Sequence, residues 1–170
     1  MQNIEFKAEL RHIDAARAQC AALDAMHEGI FRQRDTYYQL PDGRLKRREE
    51  PGEEIAWIYY HRPDLVRPRM SNYTILTGDQ ARLRWGVDGI EPWITVDKKR
   101  ELWILENVRI HLDEVEGLGR FIEFEAIVSR DFDVEACHRA IDHLRAEFDP
   151  ILGESLSVSY SDLLAAELGV

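Results

Sequence analysis

The sequence predicts an α+β fold built on an antiparallel β-sheet, and two patterns in its 170 residues support this prediction. As far as about residue 126, successive segments alternate apolar with charged side chains, which is typical of strands with one face against a core. In the last quarter, apolar residues recur at spacings of three and four, which is typical of amphipathic helices. With 45% hydrophobic residues and no long linker, one domain is expected over residues 1–170.

The clearest strand signal is the segment N-V-R-I-H-L-D-E-V-E-G-L-G-R-F-I-E-F-E-A at residues 107–126, which predicts a hairpin turning at Gly117 and Gly119. The polar faces of its two strands carry ionisable groups: Arg109, His111, Asp113, Glu123 and Glu125. Two carboxylates on one strand face repel each other, by about 4 kcal/mol at 4 Å for an effective dielectric of about 20. A bound cation would relieve that repulsion, and a solvated sheet face is the alternative.

Six further segments are predicted as strands because they alternate or are rich in aromatic and β-branched residues. They are residues 2–10, 31–40, 44–49, 55–62, 73–77 and 94–105. Pro41-Asp42-Gly43 is a strong turn signal and makes the second and third of these a hairpin. Residues 63–72, with two prolines, and residues 87–92 are predicted as loops.

Four helices are predicted, and the longest begins near Asp133 and ends near Pro150. The others are an alanine-rich helix over residues 13–25, a short one capped by Asp79, and one over residues 161–168. Cys20 and Cys137 lie among apolar or small residues of these helices. Buried free thiols are therefore expected, rather than a disulfide or a metal site.

The charge balance argues against two classes of partner. With 22 basic and 32 acidic side chains, the formal net charge is -10, which disfavours nucleic acid and anionic membranes as partners. No run has the length of a membrane span, and the first five residues lack the features of a secretory signal. A cytoplasmic location is therefore expected, and dimerisation through an outer face is left open.

The charged faces of the predicted strands form an ordered set of acids and bases from at least six strands. The acids are Glu5, Asp113, Glu123 and Glu125, and the bases are Lys7, Lys46, Arg48, Arg62, Lys98, Arg100 and Arg109. If the sheet closes into a barrel with these faces inward, its lumen holds a basic wall and an acidic patch. Such a lumen suits a polyphosphate, because Arg and Lys donate to its oxygens while a divalent cation on carboxylates offsets its remaining charge.

Five motifs also resemble a known family, in the same order along nearly the whole chain. They are N-I-E-F-K, G-R-L-K-R-R-E, Y-H-R-P, V-D-K-K-R-E-L and H-L-D-E-V-E-G-L-G-R-F-I-E-F-E. They resemble the CYTH, or triphosphate tunnel metalloenzyme, superfamily, which includes class IV adenylate cyclases, thiamine triphosphatases and inorganic triphosphatases. The resemblance implies a closed eight-stranded antiparallel β-barrel with peripheral helices, whose tunnel binds a triphosphate together with Mg²⁺ or Mn²⁺.

The resemblance also implies a role for each charged residue. Glu5, Glu123 and Glu125 match the metal-binding acids, and Asp113, close by, is expected to help them hold the metal. The seven bases named above match the phosphate-binding set. The residues expected to act in catalysis are Glu5, Lys7, Glu123 and Glu125.

This chain departs from the family pattern at two places. The first strand of the family usually reads E-x-E-x-K, whereas this chain has Asn3 before Glu5 and Lys7. An amide offers an oxygen but no charge, so the binding of a second metal ion is expected to be weakened more than the binding of the first. A lysine that some members supply near the C-terminus is also missing, and Tyr160 and Ser161 stand in that region.

The charged strand faces predict a site for a polyphosphate and a divalent metal, and the resemblance implies a metal-dependent phosphohydrolase acting on an inorganic, thiamine or nucleoside triphosphate. Hydrolysis is favoured because cleavage of a terminal phosphate needs no nucleobase pocket, and the sequence gives no evidence of one. Two alternatives remain open: a class IV adenylate cyclase that converts ATP to cyclic AMP and pyrophosphate, and a polyphosphate- or nucleotide-binding module without turnover. The P-loop, H-E-x-x-H and paired C-x-x-C motifs of other enzyme classes are absent.

Overall fold

The computed structural model describes all 170 residues. The strands are β1 Gln2–Leu10, β2 Met26–Gln39, β3 Arg44–Glu49, β4 Ala56–His61, β5 Arg69–Leu76, β6 Ile94–Leu105, β7 Val108–Val115, β8 Gly119–Ile127 and β9 Leu152–Ser155. The α-helices are α1 Ile13–Ala22, α2 Gly78–Trp85, α3 Val134–Phe148 and α4 Tyr160–Leu168. Two 3₁₀ turns lie at Val87–Gly89 and Asp149–Ile151.

Eight strands form a closed antiparallel barrel in the order β5-β4-β3-β2-β6-β7-β8-β1, in which β1 also pairs with β5. At this closing seam, Asn3 lies opposite Ser71 and Glu5 opposite Arg69. The ninth strand, β9, pairs with Ala8 and Leu10 of β1, beyond the residues that pair with β5. The prediction of an α+β fold with a closed eight-stranded antiparallel barrel and peripheral helices is therefore confirmed.

The main hydrophobic core lies on the outer faces of β1, β7 and β8, beneath α1 and α3. Phe6, Ile110 and Phe124 are at most 2% exposed there, and α3 adds Ile141 and Phe148. Burying a side chain of this size contributes about 1.5–3 kcal/mol. Because a one-residue slip would exchange the two faces of a strand, this core fixes the charged faces of β1, β7 and β8 inward.

The helix α4 closes one end of the barrel. Its Tyr160 and Ala165 pack against apolar residues at inward positions of four strands, in a cluster with Tyr37, Ile94, Val96, Val115 and Phe121. These positions lie where β6 and β8 begin and where β2 and β7 end. At the opposite end, where β6 ends and β7 begins, the side chain of Arg109 is 47% exposed.

A third cluster covers the outer face of β3 and β4. Leu45 and Trp57 pack there with Ala81 of α2 and with Val87. The turn before β3 needs glycine, since Gly43 has a φ of +72° and a Cβ there would lie 2.7 Å from the ring of Tyr59.

The prediction of a loop over residues 63–72 is wrong at its C-terminal end, because β5 begins at Arg69. Residues 69–72, R-M-S-N, include turn-forming residue types, yet they belong to a strand that pairs with β1, where Arg69 lies opposite Glu5. Pairing with a distant strand overrides the weak local preference of such residues.

Other predicted boundaries also need correction. The cap of α2 is Thr77, whose side chain accepts from the amide of Gln80, whereas Asp79 lies in the first turn. The helix α1 ends at Ala22 rather than Ala25, β2 begins at Met26, and β9 was not predicted. The limits of β6 and the hairpin of β7 and β8 are confirmed, as is Asp133 at the start of α3.

Cys20 and Cys137 are buried free thiols, as expected. None of the four helices combines the length and the apolar character that crossing a bilayer requires.

Candidate active site

A cavity of about 490 Å³ lies inside the barrel, and each of the eight barrel strands contributes to its lining. The predicted site residues that line it are Glu5, Lys7, Lys46, Arg48, Arg62, Lys98, Arg100, Arg109, Glu123 and Glu125. They converge because each sits at an inward position of its strand, or directly after it for Arg62. Asp113 is the exception, since it lies behind Arg100 rather than in the lining.

The acidic patch lies on the neighbouring strands β1 and β8. Glu5 is directly opposite Glu125, and Lys7 is opposite Glu123. The nearest oxygen of Glu5 lies 3.1 Å from Nε of Arg62 and 3.2 Å from Nε of Arg69. Glu5 and Glu123 therefore each lie beside a basic residue.

Glu123 lies beside basic side chains of three strands, β1, β6 and β7. It lies 3.7 Å from Nζ of Lys7, 3.1 Å from Nη2 of Arg100 and 3.2 Å from Nδ1 of His111. Burial alone would raise the pKa of Glu123, but Lys7, His111 and Arg100 hold that pKa well below its usual range. By contrast, burial and the charge of Glu123 raise the pKa of Glu5.

The remaining acid, Glu125, lies nearer the end of the barrel opposite α4. Its Oε2 is 3.6 Å from Nη1 of Arg109, whose side chain is 47% exposed. Asn3 donates from Nδ2 to Oε1 of Glu125, while its own buried Oδ1 has no partner. The amide of Asn3 therefore contacts the acidic patch through its nitrogen, and its oxygen is buried without a hydrogen-bond partner.

The basic wall is organised around Asp35 of β2, a residue that the sequence analysis missed. Its fully buried carboxylate accepts from Lys46 at 3.1 Å, from Lys98 at 2.7 Å, and from Nε and Nη2 of Arg48 at 2.7 Å each. Burial lowers the pKa of Lys46 to about 8 and that of Lys98 well below its usual range, and Arg48 adds to both shifts. The carboxylate of Asp35 opposes these shifts.

The second buried ion pair of the wall joins Arg100 to Asp113. Nε and Nη2 of Arg100 donate to the two carboxylate oxygens at 2.8 and 2.6 Å. The hydroxyl of Tyr160 donates to the same carboxylate at 2.8 Å, and Nζ of Lys7 lies 3.9 Å from the centre of the Tyr160 ring. Asp113 and Tyr160 thereby fix the positions of two cavity cations, Arg100 and Lys7.

The sequence of this barrel also matches a known domain family. A family model described as the CYTH domain matches residues 1–147. The chain belongs to the CYTH domain family. The resemblance that the motifs indicated is therefore confirmed.

Solved structures show how widely the fold of this CYTH domain occurs. The PH1012 protein from Pyrococcus horikoshii OT3 superposes with a TM-score of 0.77 at 22% identity, covering 95% of this chain and 98% of that chain. An adenylate cyclase candidate from Vibrio parahaemolyticus has a TM-score of 0.72 at 19% identity, with 96% and 97% covered. At these identities the likeness shows a common fold.

An enzymatic activity is known for a third protein with this fold. It is an adenylyl cyclase candidate from Hippeastrum with a dominant triphosphatase activity, at a TM-score of 0.62 and 16% identity, with 98% of this chain and 96% of that chain covered. No curated protein matches the sequence.

Metal binding by this CYTH barrel must be judged from the donor set. No group of three or more His, Cys, Asp or Glu side chains is arranged to hold an ion in this structure. The available donors are nevertheless those that Mg²⁺ and Mn²⁺ prefer, since Glu5, Glu123 and Glu125 supply carboxylate oxygens. The unpartnered Oδ1 of Asn3 adds one neutral oxygen. The chemistry of these donors therefore suits a hard divalent cation, whereas their arrangement in this structure does not by itself form a site.

Two site residues, Asp35 and Arg69, were not predicted from the sequence, although the alternation of β2 could have identified Asp35. Asp35 shares its strand face with Gln33 and Tyr37, both of which line the cavity, so an acid at that inward position was a detectable signal. Arg69 lay in a segment predicted as a loop, and no local pattern pointed to its contact with Glu5.

Proposed function

We propose that this CYTH domain is a divalent-metal-dependent phosphohydrolase that acts on a triphosphate bound inside the barrel. The observation that best supports this function is the basic wall of Lys46, Arg48, Lys98 and Arg100, whose side chains are 1–16% exposed and face the carboxylates of β1 and β8. Desolvating so many like charges is costly without an anionic partner. The acids within 4 Å of these four cations are Asp35, Asp113 and Glu123, so the wall keeps an excess of positive charge that a polyanion would complement.

The phosphate contacts are assigned to the cations of the lining. Arg48 and Arg100 offer planar guanidinium groups suited to phosphate oxygens, while Lys46 and Lys98 supply compact charges beside them. Lys7 and Arg62 extend this set toward the acidic patch, and Arg109 stands at the end opposite α4. Together they place positive charge along the length of a triphosphate.

Glu5, Glu123 and Glu125 are assigned to the divalent cation. When bound, the ion would offset charge on the phosphate oxygens and lower the pKa of a coordinated water. Asp113, which the resemblance placed beside these acids, is assigned instead to holding Arg100, because both of its oxygens are already engaged by Arg100 and Tyr160.

Catalysis by the chain itself would come mainly from positioned charge. Phosphoryl transfer spreads negative charge over the oxygens of the transferring group, and fixed cations stabilise that charge without reorganising. Arg100 and Lys46 are suited to this task, because ion pairs with Asp113 and Asp35 hold them in place. The side chains of Arg100 and Lys46 are only 11% and 16% exposed, which strengthens these interactions relative to those of exposed charges.

The decisive experiment incubates the pure protein with tripolyphosphate, thiamine triphosphate and ATP, each with Mg²⁺, with Mn²⁺ and with EDTA. Metal-dependent release of phosphate supports the hydrolase. Cyclic AMP and pyrophosphate from ATP would identify a cyclase instead, and saturable binding without products would identify a binding module. The binding module gains support from Asn3, which removes one acid from the patch.

A further inference from the structure

The strand β2 has a free edge over its N-terminal half. It pairs with β6 from Met26 to Tyr37, but with β3 only from Arg34 onward. Between Met26 and Gln33, one edge of β2 therefore has no neighbouring strand within the chain. Every second residue along this edge directs its backbone N–H and C=O groups away from β6, where another strand can pair with them.

Side chains along this free edge are exposed on both faces of the strand. Ile30 is 52% exposed and Phe31 37% exposed, and of residues 26–32 all except Gly29 are exposed. Natural sheets usually protect a free edge with lysine, proline, a bulge or a very short strand. Residues 26–33 contain neither lysine nor proline, and their one such feature is the bulge between His27 and Gly29.

The sequence of the free edge is complementary to itself in an antiparallel pairing. It carries an acid, Glu28, near one end and a base, Arg32, near the other, with Ile30 midway between them. When Ile30 lies opposite the same residue of a second copy, each Glu28 is brought beside the Arg32 of the other copy. Unlike charges on paired strands stabilise the pairing, and a two-fold axis supplies two such contacts.

These two charges are also free to meet a partner. Glu28 and Arg32 are exposed and form no ion pair within their own chain. The next outward cation of the strand, Arg34, is by contrast already paired with Asp97 at 2.8 Å. The free edge thus keeps its own acid and base available.

We propose that two copies of this chain form a symmetric dimer by antiparallel pairing of residues 28–32 of β2. Pairing satisfies backbone groups of both edges and covers Ile30 and Phe31. A second copy fits this edge because the two-fold axis matches acid with base at both ends. The contact is short, so the dimer is expected to dissociate on dilution. This inference is independent of the proposed function, since it concerns the edge of β2 and not the chemistry of the cavity.

The first test is sedimentation velocity of the parent protein at low ionic strength over a wide range of protein concentration. A shift from monomer to dimer with rising concentration is expected, and added salt should weaken it. A parent protein that stays monomeric at every concentration would overturn the inference.

Charge reversal tests the pairing itself. Glu28→Arg and Arg32→Glu each bring like charges together, so each variant alone is expected to dimerise at least about tenfold more weakly than the parent. In an equimolar mixture of the two variants every one of these contacts joins unlike charges again. The mixture is therefore expected to form a heterodimer with about the parent affinity. A mixture that associates no more tightly than either variant alone would contradict the antiparallel pairing.

The matched control is Arg139→Glu, which makes the same change in net charge as Arg32→Glu at a side chain on α3 that is 65% exposed. It should keep the parent affinity. Dimerisation that persists unchanged in both Glu28→Arg and Arg32→Glu would place the contact elsewhere and refute the assignment.

Amide hydrogen exchange locates the contact without any substitution. In the parent protein, exchange in residues 28–32 is expected to slow as the protein concentration rises, because pairing engages their backbone groups. The C-terminal helix α4 provides the internal reference, and its exchange should not change. Equal exchange of residues 28–32 in the monomer and the dimer would overturn the proposed pairing.

Discussion

The carboxylate of Asp35 accepts a 2.7 Å hydrogen bond from the ammonium group of Lys98, and both side chains are at most 1% exposed. The same carboxylate binds Lys46 and Arg48, so one residue of β2 ties together cations of the two strands beside it. Contacts within the protein itself therefore hold the cations of the basic wall together. Fixed charges of this kind avoid the cost of reorganisation during a reaction.

Replacing Asp35 by asparagine is expected to shift the alkaline limit of activity to lower pH. The carboxylate raises the pKa of Lys46 and Lys98 against the effect of burial, so its loss lowers both pKa values, from about 8 in the case of Lys46. Both lysines then lose their protons at lower pH. At pH 8, kcat/KM for the best triphosphate should fall at least about tenfold.

The measurement is the pH profile of kcat/KM for parent and Asp35→Asn. The control is Asp97→Asn, because Asp97 pairs with Arg34 on the outer face of β6, beside Lys98 in sequence. An alkaline limb that stays in place in Asp35→Asn would refute the positioning role.

Replacing Arg100 by lysine is expected to lower kcat about a hundredfold, with a smaller effect on KM. Lysine keeps the charge but cannot reproduce the two parallel hydrogen bonds to Asp113, so the cation no longer holds a fixed position. Steady-state kinetics of phosphate release check this. Arg120→Lys, on the outer face of β8 with its side chain 49% exposed, serves as the control, and equal kcat values in the two variants would refute the role of Arg100.

The double substitution Glu123→Gln with Glu125→Gln is expected to lower metal-dependent turnover at least about a hundredfold, because it removes two of the three assigned carboxylates. Glutamine keeps the shape of both side chains, so cooperative thermal unfolding should persist. Glu114→Gln with Glu116→Gln alters the same hairpin outside the cavity and should retain activity. Unchanged turnover in the first pair would refute the metal assignment.

Restoring an acid at position 3 is expected to strengthen metal binding. In Asn3→Glu a new negative charge joins Glu125, so the melting temperature should fall in EDTA and should rise more than that of the parent when Mn²⁺ is added. Thermal denaturation with and without Mn²⁺ measures both effects. Gln2→Glu, at the neighbouring exposed position, is the control, and a rise equal to that of the parent in Asn3→Glu would count against metal binding at this patch.

Much of the cavity could be anticipated from alternation alone. Glu5, Lys46 and Arg100 line it because each shares a strand with apolar residues that must face the outer core. Asp113 shows the limit of such reasoning. Alternation placed it on the inward side correctly, but only the stagger of β6 against β7 sets it opposite Arg100, which takes both of its oxygens.

By itself, the sequence determined the class of the fold and which residues share a face of each long strand, because apolar and polar residues alternate along that strand with a period of two. Tertiary structure alone decided which charges meet, where β5 begins, and which end of the barrel α4 closes. These features depend on pairings between segments far apart in the chain, such as Arg69 with Glu5, and on the stagger of strands around a closed ring. No local pattern encodes either quantity, so the contacts of Asp35 with Lys46, Arg48 and Lys98 emerged only once the barrel was closed.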